Sequence, residues 1–122
     1  MITRRRVQRW AEAKGISIDG DLRTSKYYPP KESRSGRPAW WVEVPLDKLR
    51  SVAKFEVFCE KGVEIEDFHH LAIPSDFLDQ NQGNVHLTNG KISLWLSAEE
   101  PDLFKDTHPE GGQIDFRRFL VA

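Results

Sequence analysis

The dipeptide Asn89-Gly90 lies between two runs of alternating polarity, Val85-His86-Leu87-Thr88 and Lys91-Ile92-Ser93-Leu94-Trp95-Leu96, and constrains the fold more than any other stretch. A two-residue hairpin loop needs positive φ at both central positions to follow the twist of its strands, and Asn followed by Gly tolerates this best. The turn therefore predicts a register: Thr88 opposite Lys91, Leu87 opposite Ile92, His86 opposite Ser93 and Val85 opposite Leu94. Successive side chains point to opposite faces, so Val85, Leu87, Ile92, Leu94 and Leu96 share one face, and His86, Thr88, Lys91, Ser93 and Trp95 the other.

The same period of two recurs upstream. Trp40, Val42, Val44 and Leu46 alternate with Trp41, Glu43 and Pro45, while Phe55, Val57 and Cys59 alternate with Lys54, Glu56, Phe58 and Glu60. Residues 68–73 read as a third strand, and Pro74 opens a short helix that Asn81, Gly83 and Asn84 end after about two turns. Residues 3–14 are strong helix formers, with Thr3 as cap and Gly15 as stop. Val7, Trp10 and Ala11 give that helix a narrow apolar stripe, with Arg5, Arg6 and Arg9 largely outside it. Residues 24–38 hold three Pro, a Gly and three Ser among Lys and Arg, and predict a long basic loop. Residues 114–121 fit helical and strand spacing equally. Short connections favour antiparallel pairing. The expected fold is α+β: a single domain over residues 1–122 with one mixed or antiparallel sheet of about five strands, an N-terminal helix and one or two short helices.

At 122 residues, with 39% hydrophobic and 30% charged residues, the chain can bury a core without disulfide or metal support. No apolar run is long enough to span a membrane, and Arg4-Arg5-Arg6 is followed by no apolar stretch of a secretory signal. The lone Cys59 cannot form an internal disulfide. These features together predict a soluble, cytoplasmic protein with no membrane partner.

Charge is uneven along the chain. Through Lys61 there are fourteen Lys and Arg against eight Asp and Glu; beyond it there are four against eleven. A basic half suits contact with phosphate, whereas interleaving of the halves would neutralise it.

Two surfaces follow as candidates. The first joins Arg4, Arg5, Arg6 and Arg9 of the helix to Lys26, Tyr27, Tyr28, Lys31, Arg34 and Arg37 of the loop. Cations neutralise phosphates and tyrosine stacks on unpaired bases, so this set points to nucleic acid. The second consists of Trp41, Phe58 and Trp95, which the alternation sets on the polar side of their strands. These aromatics either meet a protein partner or an unpaired base, or form a second core under the first helix. The acidic residues Glu99, Glu100, Asp102, Asp106 and Glu110 are a further candidate for protein contact.

Chemistry is sparse. Asp67, His69 and His86, with His70, His108, Asp76 and Asp79, are the residues from which a metal-dependent hydrolase would have to be built, but they lack the spacing of a recognised metal motif. Cys59 falls among Phe55 and Val57 on the presumed inner face, as a core residue does. No nucleophile elbow or phosphate-cradling glycine loop occurs in the chain. The sequence therefore predicts a non-catalytic binding module with no cofactor and no metal, whose partner is nucleic acid or, alternatively, a protein.

Overall fold

A computed structural model describes residues 2–63 and 65–121 of the chain. Helix α1 spans Arg4–Ala13; the Thr3 hydroxyl caps it by accepting the Arg6 N–H at 3.2 Å, and Gly15 leaves it at φ +73°. Among the described residues the strands are β1 (Asp21–Ser25), β2 (Tyr27–Tyr28), β3 (Ala39–Pro45), β4 (Lys54–Glu60), β5 (Phe68–Pro74), β6 (His86–Thr88) and β7 (Lys91–Ser97). Helix α2 spans Ser75–Gln80, and single 3₁₀ turns occur at Leu46–Lys48, Gln82–Asn84 and Arg117–Phe119.

The α+β class is as expected, but the strands divide between two sheets. One has the order β1-β4-β5, the other β2-β3-β7-β6. The chain crosses from the first to the second at Lys26, between β1 and β2, and returns after β3. That excursion is long enough for β1 to lie parallel to β4, where local reasoning favours antiparallel neighbours. It also overturns the reading of residues 24–38 as one loop: Thr24 and Ser25 belong to β1, and Tyr27 and Tyr28 pair with Trp40 and Ala39. Apart from Lys26, only residues 29–38 of this stretch, bounded by prolines, lack strand pairing.

The inner faces of the sheets form the main core. Trp40, Val42 and Val44 of β3 and Ile92, Leu94 and Leu96 of β7 meet Phe55, Val57 and Cys59 of β4 and Leu71 and Ile73 of β5. Burial pushes the Cys59 thiol well above its ordinary value, which keeps it protonated and unreactive. A second, smaller core lies under α1, where Val7 and Ala11 cover Leu22, Phe58 and Phe68. The Trp10 ring meets Phe68 and Phe58 edge-on, at 5.3 and 6.3 Å. The layers are thus helix, three-stranded sheet and four-stranded sheet.

The hairpin keeps the register that Asn89-Gly90 predicts, with φ of 50° and 73° at the two positions. Leu87 keeps its place opposite Ile92 but, unlike Ile92, is 42% exposed. It lies on β6, a three-residue edge strand that carries it past the core.

Candidate functional site

Two sheet edges lie side by side and leave a groove of about 870 Å³ between them. β1 is the edge strand of the first sheet, and residues 22–25 line one wall. In the second sheet β2 pairs only with Ala39 and Trp40, so Trp41, Val42 and Glu43, paired with β7 on one side, line the other wall with their opposite edge uncovered by β2. Arg4 stands at the N-terminal end of α1 over the same groove, which Lys26, Tyr27, Tyr28, Glu32 and Glu60 also line.

The aromatics of this region form one cluster. Trp41 and Trp95 oppose each other across β3 and β7 and stack 5.6 Å apart at an interplanar angle of 7°. The Tyr28 ring stands edge-on to both, at 6.4 and 5.1 Å, with the Lys26 ammonium 4.8 Å from its centre. Such an ammonium is attracted by the ring face, which holds the charge beside the aromatic. Trp41 remains 37% exposed even though its indole N–H donates to the Ser93 hydroxyl. A large, positioned and solvent-facing ring is a stacking platform.

The residues singled out from sequence separate into groups. Arg4, Lys26, Tyr27, Tyr28 and Trp41 come together at the groove, and Trp95 lies beneath Trp41 in the same cluster. Phe58 does not join them: it faces the opposite side of the molecule, where it is fully buried under α1. The expected face of Trp41, Phe58 and Trp95 is therefore split, because the strands that carry them belong to different sheets. Arg5 and Arg9 are exposed on α1, whereas Arg6 is paired with Glu66 at 3.4 Å. Lys31 and Arg34 are exposed in residues 29–38. Arg37 is clamped by Glu99 at 2.8 Å and Asp102 at 3.1 Å, beside a smaller hollow with Lys105 and Gln113.

The acidic segment is engaged residue by residue. Glu99 and Asp102 hold Arg37, Glu100 holds Arg117, and Glu110 pairs with His86 at 2.9 Å. Asp106 is fully buried; one of its oxygens accepts the backbone N–H groups of Trp95 and His108, and the other has no partner. The two sequence halves thus neutralise each other in part, most visibly at Arg37.

The residues considered for hydrolysis are dispersed. Asp67 pairs with Lys61, His69 packs against Trp40 and Phe104, and His86 stacks on His108 in the other sheet. Among the described residues no group of three His, Cys, Asp or Glu is placed to hold a metal ion. Nor is any helix among them long and apolar enough to cross a membrane.

These histidines carry a pH dependence. Burial depresses the imidazoles of His69, His70 and His108 below the ordinary value. At His70 burial outweighs the attraction of Glu56; at His69 the Lys61 charge adds to burial, and at His108 those of His86 and Arg34 do. The unfolded chain then binds protons below about pH 6.5 that the folded chain refuses. Stability from these groups is complete above that value and is lost as the pH falls through it. Asp106 acts in the opposite sense, because burial raises its carboxyl and its contribution is lost as the pH rises above about 3.9. With three histidines against one carboxyl, the expected melting temperature at pH 5.5 is below that at pH 7.5, which thermal melts in matched ionic strength would measure.

Sequence reasoning missed Arg23, Thr24, Ser25 and Glu60 of the groove. Their only local signal is the alternation in β4 that turns Glu60 away from the main core; the neighbourhood itself depends on the crossing at Lys26. Comparison of the chain with protein-family profiles, with curated proteins and with solved structures finds no match. Function is therefore argued from the groove itself.

Proposed function

We propose that the protein is a non-catalytic binding module that takes a single-stranded nucleic acid in the groove between its two sheet edges. The observation that carries this reading is the convergence of Arg4 and Lys26 with Tyr27, Tyr28 and Trp41 along one open channel. Single strands are held by cations that follow the backbone and by rings on which bases stack, and both are present in this channel. A duplex has no unstacked base to offer Trp41. Arg5, Arg9 and Lys31 are exposed on α1 and on residues 29–38, and extend the supply of positive charge. Arg37 is already neutralised by two carboxylates and contributes little.

Counterion release gives the test. For single strands, log K falls with log salt at about 0.7 per phosphate neutralised. Replacing Arg4 and Lys26 together by alanine should lower the magnitude of that slope by about 1.4 in an anisotropy titration with a labelled oligonucleotide. Arg37→Ala should leave it unchanged. An unaltered slope in the double variant would remove the groove from the interface.

A second reading is favoured by the two unpaired edges. An extended peptide could add to β1 through main-chain hydrogen bonds, with its side chains set between the aromatic and charged walls.

A further inference from the structure

Three carboxylates, Glu32, Glu43 and Glu60, line the groove and do not serve phosphate; Glu32 is exposed, Glu43 is paired with Lys91 at 3.8 Å, and Glu60 is the buried one. Glu60, at the end of β4, is only 4% exposed yet lines the channel. One of its oxygens accepts the Tyr27 backbone N–H at 3.3 Å, a long bond, and the second has no partner among the described residues. The residue is firmly placed: its backbone carbonyl accepts the Trp40 indole N–H at 2.6 Å, and Glu60 pairs with Phe68 in β5. A carboxylate in this position would repel a phosphate. It is complementary to a ligand group that offers N–H donors.

Resting on the nucleic-acid reading above, we infer that Glu60 selects guanine. An ionised carboxylate only accepts hydrogen bonds and presents two oxygens side by side. Guanine's Watson–Crick edge offers two adjacent donors, N1–H and the N2 amino group, which meet a carboxylate as a parallel pair. Uracil offers a single N–H flanked by two carbonyl oxygens, and those oxygens would face the carboxylate repulsively. An unstacked base is read on this edge while its flat face rests on an aromatic ring, and the rings of Tyr28 and Trp41 line the same groove as Glu60. Arg4 and Lys26 then hold the backbone and Glu60 reads the base, a division of labour between position and specificity.

The test compares a labelled alternating guanine–uracil ten-mer with a uracil ten-mer, titrated against the wild-type chain and Glu60→Gln. The glutamine keeps the size and an acceptor for Tyr27 but replaces one acceptor by a donor. The wild type should bind the guanine-containing strand about tenfold more tightly, and the ratio should fall below about twofold in Glu60→Gln. Equal wild-type affinity for the two strands, or an unchanged ratio in the variant, would overturn guanine selection and leave the nucleic-acid reading standing. Absence of binding to either strand would overturn both. Competition of the bound strand by an arginine-containing peptide but not by guanosine monophosphate would assign the carboxylate to a guanidinium and overturn the inference. Glu60→Asp shortens the reach without removing the charge; if Glu60→Gln fails to fold, a lowered ratio in Glu60→Asp supports the inference and a full ratio overturns it.

Discussion

Replacing Tyr28 and Trp41 together by alanine is expected to weaken single-strand binding by at least about thirtyfold, since each base lost from an aromatic platform costs roughly 1–3 kcal/mol. Trp41 supplies the exposed face and Tyr28 braces it edge-on against Trp95, so the pair acts as one surface. The effect on folding should be smaller, because both rings lie outside the two cores. Trp41→Phe keeps a flat face but removes the indole N–H that bonds Ser93, and should retain most of the affinity. Anisotropy titrations paired with circular dichroism melts separate the two effects. Equal losses in the phenylalanine and alanine variants would show that the indole hydrogen bond, not stacking, is what matters.

The second large effect concerns stability and lies on the opposite side of the molecule. Glu56 is 2% exposed on the α1 side of β4. One of its oxygens accepts the backbone N–H groups of Asp19 and Gly20 at 2.7 and 2.5 Å, and the other accepts from His70 Nε2 at 3.1 Å in the tautomer protonated there. Three donors thus depend on one side chain, which ties the approach to β1 onto the middle of the sheet. Gly20 makes that approach possible: a Cβ there would lie 2.8 Å from the Lys54 carbonyl oxygen. Glu56→Ala leaves the His70 imidazole buried without its carboxylate and releases the partly exposed N–H groups of Asp19 and Gly20, and is expected to cost about 3–5 kcal/mol. The corresponding fall in melting temperature is roughly 10–20 °C. Urea unfolding would measure it, and a loss below about 1 kcal/mol would mean that water replaces the carboxylate at little cost.

The elements that sequence reasoning placed well are those whose signals are local. Thr3 and Gly15 bound α1 through capping and positive φ, and Asn89-Gly90 sets the hairpin register through its own dihedrals. The residues of β3 and β4 that face the main core follow from alternation alone, although the other face of β4 is buried as well. Alternation does not say which sheet a strand belongs to. It set Trp41, Phe58 and Trp95 on equivalent sides of their strands, yet Phe58 faces α1 and the two tryptophans face away from it. The short strands β1 and β2 were harder to see. Both pair with segments distant in sequence, β1 with β4 and β2 with β3 across residues 29–38, so nothing in their own composition announces them. The groove shares that origin. Arg4, Lys26, Tyr27, Tyr28 and Trp41 were recognisable by residue type, whereas their meeting point with Arg23 and Glu60 comes from the crossing of the chain between sheets.

The central claim, that the groove between the two sheet edges is where a single strand binds, is tested most directly by amide chemical-shift mapping of the isotope-labelled protein during titration with a short guanine-containing oligonucleotide. The account predicts shifts concentrated in residues 22–28, in Glu60 and in the Trp41 backbone and indole N–H, with little change at residues 102–113. Shifts confined to residues 102–113 or to the α1 face around Arg9, or none at all at low salt, would contradict it.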